Sequence, residues 1–196
     1  EQYNQGNVKY YYYSSNGGNA QVNDNDATGN DNKATSTADG ALSTALIEQN
    51  ETEGNDNIVT ADALSGGTAT VSLNETNGND NIIDIDADGG TATFSSNETI
   101  GNDNRFDVDA DTGGISSVTG NNTDGSDNSI DVSASDFGSA DVRNNISTGS
   151  NSDVVVDVEN VDSFAIFSSN RSTGDNNDAD IDARFRDQDR ARAMLA

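Results

Sequence analysis

The chain has 196 residues, with 9 Lys and Arg against 35 Asp and Glu, a net charge of −26. That balance repels phosphate backbones and anionic headgroups, so nucleic acid is excluded as a partner, and no apolar run is long enough for membrane insertion. There is no Cys, His or Pro and only 31% of residues are hydrophobic, which removes disulfides, thiol and imidazole chemistry and leaves any core to a few regularly placed side chains.

From the N-terminus, residues 1–23 form an atypical segment carrying all five tyrosines, four of them in the row Tyr10, Tyr11, Tyr12 and Tyr13. The chain opens on Glu1 rather than Met, as expected of a processed, secreted form. Residues 24–183 repeat the pattern Asn-x-Thr/Ser-x-Gly-Asn-Asp-Asn, best kept at Asn50 to Asn57, Asn74 to Asn81 and Asn97 to Asn104. Its anchor glycines, Gly6, Gly29, Gly54, Gly78, Gly101, Gly125, Gly149 and Gly174, are separated by 23 to 25 residues. A period in this range is the mark of stacked repeats, each unable to bury its own apolar face. Residues 184–196 form a basic tail with Arg184, Arg186, Arg190 and Arg192, and Ala191 to Ala196 is expected to make a short helix.

Within a repeat, apolar residues alternate. Ala69 and Val71 stand nine and seven before the anchor Gly78, and Ile83, Ile85 and Ala87 stand five, seven and nine after it. In the first repeat, counting from Gly6, the same rule points Tyr11 and Tyr13 inward. Spacings of two describe strands, and Gly78-Asn79-Asp80 and Asp88-Gly89-Gly90 are turn sequences. The fold class is therefore all-β: a two-sheet β-solenoid of about eight strand-turn-strand coils, roughly 38 Å tall at the spacing of strands in a sheet. One detail conflicts with simple alternation. Asn74 and Thr76 belong to the repeated set, yet continuing from Val71 turns Asn74 outward, so a bulge near Ser72 is expected to shift the phase.

Two readings of the polar columns stand side by side. In the first they are internal ladders: Asn50, Asn74, Asn97, Asn121, Asn145 and Asn170; Thr52, Thr76, Thr99 and Thr123; and Asn57, Asn81, Asn104 and Asn128 stack in register and hydrogen-bond from coil to coil. Gly54, Gly78, Gly101, Gly125, Gly149 and Gly174 make the turns. In the second, the same Asn50, Asn74, Asn97, Asn121, Asn145 and Asn170 are N-glycosylation acceptors in Asn-x-Ser/Thr, which requires them to face solvent. The aspartates also form columns; a solvated acidic face is the reading preferred for them, and oxygen ligands such as Asp80, Asp84, Asp103 and Asp107 also suit Ca²⁺. No nucleophile–base set or phosphate loop is present, so no enzyme is expected and no cofactor is required.

The run Thr76-Asn77-Gly78-Asn79-Asp80-Asn81-Ile82-Ile83, with its copies at Thr52 to Asn57 and Thr99 to Asn104, resembles the central Gln-x-Gly-x-x-Asn of curlin repeats, Thr76 standing for Gln and Ala87, Ala110 and Ala134 for the closing Gln. The resemblance implies a secreted structural subunit that polymerises with itself into extracellular fibres of a biofilm matrix. Assembly by edge pairing would draw on Tyr10 to Tyr13 and on Val154 to Val158 or Phe164 to Phe167, with matrix polysaccharide or cations as further partners. The alternative is a monomeric binding solenoid: a Ca²⁺-dependent adhesin, or a carbohydrate- or ice-binding module whose Thr column faces outward.

Overall fold

The computed structural model describes residues 2–5, 9–15, 18–159, 164–184 and 193–195, with side chains described at Tyr10, Tyr11, 18–159 and 165–181. Among the described residues there are twenty-four strands and no helix. The strands form three parallel sheets of eight, each strand pairing with its equivalents one coil before and one coil after. This is the β-solenoid that the period predicts, with one more sheet than the two expected.

The third sheet comes from a single residue per coil. In the coil that starts at Thr68, the strand Thr68–Ser72 ends at Leu73, whose φ is +56°, and the chain resumes as the short strand Glu75–Asn77. Asp24, Gln49, Ser96, Gly120, Asn144 and Ser169 occupy the same position with φ between 54° and 66°. One left-handed residue rotates the strand direction and reverses which alternate residues face inward. Val71 before it and Asn74 and Thr76 after it are all buried. The phase shift is thus a corner rather than a bulge, because the flanking strands stay in one-to-one register with the neighbouring coils.

The second corner is Gly78-Asn79-Asp80, leading into the long strand Ile82–Asp88. Gly78 has φ +154°, and a Cβ added there would lie 1.9 Å from the Gly54 carbonyl oxygen, so coils approach backbone to backbone at this column. Asp80 follows at φ +56°, as do Asp31, Asp56, Asp103 and Asp127 at 57° or 58°. Asp is among the few residues that tolerate this conformation, which explains that aspartate column without invoking its charge. The third corner passes through Gly89 and Gly90 into the next coil.

The core lies between the three sheets. Ile83, Ile85 and Ala87 enter it from the long strand and Ala92 and Phe94 from the next medium one, all at 2% exposure or less. The rings of Phe94 and Phe106 stack at 5.1 Å in the middle of the column. The apolar columns read from the sequence are therefore the core.

The first coil departs from the expected register. Gln5 pairs with Thr28 but Lys9 pairs with Lys33, so the connection between these strands is one residue shorter than in the next coil. A one-residue change reverses the facing. Tyr10, not Tyr11, aligns with Ala34 and packs partly buried against the core, while Tyr11 is 59% exposed. Gly6 and the side chains of Tyr12 and Tyr13 lie outside the described residues. In the tail, the segment expected to be helical contributes the strand Ala193–Leu195, which pairs with Phe164–Ser168.

Candidate assembly site: polar ladders and open end coils

Each corner after the medium strand frees backbone groups inside the protein, and the asparagine there satisfies them. The Asn74 Nδ2 donates to Asn97 Oδ1 at 3.0 Å, to the Ser72 carbonyl at 2.9 Å and to the Ile47 carbonyl at 3.2 Å. Its backbone N–H also donates to Asn97 Oδ1 at 3.0 Å, and its own Oδ1 accepts both donors of Asn50. The chain of bonds continues unbroken from Asn25 through Asn50, Asn74, Asn97, Asn121 and Asn145 to Asn170. A second ladder at the glycine corner links Asn57 to Asn81 at 3.0 Å and Asn81 to Asn104 at 2.9 Å, with the Asn104 N–H on Asn128 Oδ1 at 2.9 Å. Thr76, Thr99 and Thr123 are buried in register between the ladders and Thr52 is half-buried above them; the bonds that climb the column run through the asparagines.

The amides of Asn50, Asn74, Asn97, Asn121 and Asn145 are buried and donate inside the stack, and Asn170 is half-buried. A glycan on these nitrogens would displace the donors that hold the corner, so the solvent-facing orientation that glycosylation requires is not the one adopted. A third ladder was not read from the sequence. The Asn79 N–H donates to Asn55 Oδ1 at 2.8 Å and the Asn102 N–H to Asn79 Oδ1 at 2.7 Å, running toward the N-terminus, opposite to the inner two. Its signal was present as the residue after each anchor glycine, where a turn already accounts for an Asn.

The long sheet carries the acid. Asp84 stands beside Asp107 and Asp107 beside Asp131, and the column Asp62, Asp86 and Asp109 runs parallel to it. Partial burial, and then the charges of Asp111, Asp62, Asp109 and Asp84, push Asp86 up to about 6. Burial likewise raises Asp62, Asp84, Asp109 and Asp131, each also raised by a neighbouring aspartate. Arg105 lies 2.7 Å from Asp107. Asp80 and Asp103 sit on the glycine corner, at a different edge of the coil from Asp84 and Asp107 on the sheet face. Among the described residues, no three acidic side chains converge as a metal site requires.

At the two ends the ladders and sheets stop. Gln2–Gln5, Lys9–Ser15 and Asn19–Asn23 are the outermost strands at one end; Arg171–Thr173, Asp178–Arg184 and Ala193–Leu195 are outermost at the other. The strand containing Val154 to Val158 is paired on both sides, as is the one containing Phe164 to Phe167, so neither is an edge. In the last coil Ala179 and Ser172 stand in inward register but are exposed, where Ile83 and Thr76 in the same columns are 2% and 3% exposed. A cavity of about 180 Å³ opens there among Ile130, Val154, Phe167, Ser147, Ser172 and Ala179. In the wall, Ser152 replaces the expected Asn of the second ladder, and its hydroxyl is buried without a partner.

No family model matches the chain, and no curated protein or solved structure matches it.

Proposed function

We propose that the chain is the structural subunit of a secreted fibre that grows by stacking coil on coil, as the curlin-like repeat implies, and that it has no catalytic activity. The observation that carries this reading is that, among the described residues, both end coils present strand edges in all three sheets, with the inward-register Ala179 and Ser172 of the last coil exposed. Unpaired edges are templates for another chain. Strand direction and ladder polarity both favour head-to-tail growth: the inner asparagines donate toward the C-terminal end, so a following coil meets donors with acceptors. The acidic long sheet keeps fibres apart laterally and collects cations, Ca²⁺ among them, that bridge them or matrix polysaccharide. Electron microscopy and sedimentation of the purified protein, with and without Ca²⁺, test this reading. Unbranched fibres are expected; monomers alone at high concentration in both conditions contradict it.

One observation supports a second reading, a monomeric module that binds carbohydrate or ice or acts as a Ca²⁺-dependent adhesin. The Thr76 column that this reading needs on the surface is buried, but Thr68 with Thr91, and Thr70 with Thr93 and Ser117, stand in register on the outer positions of the medium sheet. Such an array presents hydroxyls at the spacing of strands. Binding of polysaccharide or ice by a protein that stays monomeric, lost on replacing Thr70 and Thr93 by Leu, is the expected result if this reading holds.

A further inference from the structure

We infer that the joint between subunits is the ring of Tyr10 from a second copy of this chain, seated over Ala179 and Ser172 in the cavity at the C-terminal end. This rests on the fibre reading and adds the residues that make the contact. Register carries the inference. Tyr10, Ala34, Val59, Ile83, Phe106, Ile130, Val154 and Ala179 form one inward column. Ala27, Thr52, Thr76, Thr99, Thr123, Ser147 and Ser172 form the column beside it.

Along the first column large side chains fill the middle, small Ala34 stands next to the N-terminal end, and small Ala179 is the C-terminal end itself. Tyr10 packs over the coil that carries Ala34 and Ala27, where a void of only about 20 Å³ remains. At the other end the same two columns finish on the small pair Ala179 and Ser172, both exposed among the described residues, and a cavity of about 180 Å³ opens beside them and reaches inward to Val154 and Ile130. A void of about 150 Å³ accepts benzene, so this one accepts a phenol ring. Stacking a second copy in register places its Tyr10 between Ala179 of the first chain and its own Ala34. The large residue is then flanked by small ones on both sides, and its hydroxyl has the serine-lined side of the cavity as a polar neighbour. Head-to-head stacking instead puts Tyr10 against Tyr10 and reverses strand direction across the joint.

The test is a compensation experiment on the whole chain. Tyr10→Ala and Ala179→Phe are each expected to raise the concentration needed for fibre growth by about tenfold or more, the scale of one buried ring. The double variant, which moves the ring to the other side of the joint, is expected to recover most of that loss. Wild-type fibres with single variants that assemble normally overturn the joint while leaving the fibre reading intact; a wild-type chain that never assembles overturns both. If either variant loses its β-sheet circular dichroism, p-benzoylphenylalanine at position 10 reads the contact directly. Photo-cross-links to residues 147–179 of a second copy are expected. Cross-links to residues 1–23 of a second copy, or to its 185–196 tail, contradict the joint.

Discussion

The middle of the column and its C-terminal end are built from one repeat but reach different degrees of completion. Around Phe94 and Phe106 every inward position is covered on both sides, and the inner asparagines donate to the next coil without interruption. At the end the columns of Phe106 and Thr99 finish on the small residues Ala179 and Ser172, one rung of the second ladder is a serine, and the core opens into a cavity. A coil is thus stable through its neighbours rather than through itself, as expected of a quasi-one-dimensional stack. The end is where a neighbour is missing.

Substitutions placed at matched positions in the two regions sharpen that contrast. The largest effect is expected at the glycine corner. Gly78→Ala puts a Cβ 1.9 Å from the Gly54 carbonyl oxygen at positive φ, and backbone strain and overpacking together cost about 2–5 kcal/mol. Urea titration of this variant is expected to show loss of the whole cooperative transition. Gly174→Ala meets the Gly149 carbonyl just as closely, but it lies in the last coil, and amide exchange is expected to show only the C-terminal coils opening.

Next comes the inner ladder. Asn97→Ala strands the Asn74 donors and the carbonyls of Val71 and Ser95 inside the protein, at a cost of about 3 kcal/mol. Asn170→Ala also removes the acceptor of the Asn145 donors and the donor to the Val142 carbonyl, but in the half-buried last rung water replaces part of the loss, and a cost of about 1 kcal/mol is expected. Equal losses in urea titration would mean that the ladder is not the element holding the middle together.

The C-terminal defect offers a gain rather than a loss. Ser152→Asn restores the rung between Asn128 and Asn177 and supplies an amide where a buried hydroxyl now lacks a partner. A stabilisation of about 1 kcal/mol is expected, seen as increased amide protection confined to residues 145–181.

The smallest effect per group is electrostatic. Folded-state carboxyls raised above 3.8, Asp86 to about 6, mean that the folded chain holds more protons than the unfolded one between those values. This contribution to stability is fully present below the unfolded value and is lost as pH rises through the folded one. Thermal melts are expected to show the protein less stable at pH 7 than near pH 4, with a shallower dependence in Asp86→Asn. A rise in stability over that interval would contradict the burial of this face.

Much of this architecture was legible because repetition fixes spacing. The period gave the stack, Ile83, Ile85, Ala87 and Phe94 gave the core, and Asn74 and Asn81 gave the ladders. The third sheet was not legible, because the residue that creates it has no common type: Asp24, Gln49, Leu73, Ser96, Gly120, Asn144 and Ser169 share only a left-handed backbone. The facing of Tyr10 depended on one missing residue in a turn, a length difference that the anchor glycines alone do not reveal. The aspartates at Asp80 and Asp103 look like ligands in sequence and act as corner residues in the fold. What makes them suitable for the corner is a backbone conformation.

Head-to-tail stacking is tested most directly by diffraction from aligned fibres of the wild-type chain. In-register growth predicts a strong meridional reflection at about 4.8 Å and a subunit repeat of about 38 Å along the axis, eight strand spacings per chain. Fibres with strands running along the axis, or with an axial repeat that eight coils cannot produce, would contradict it.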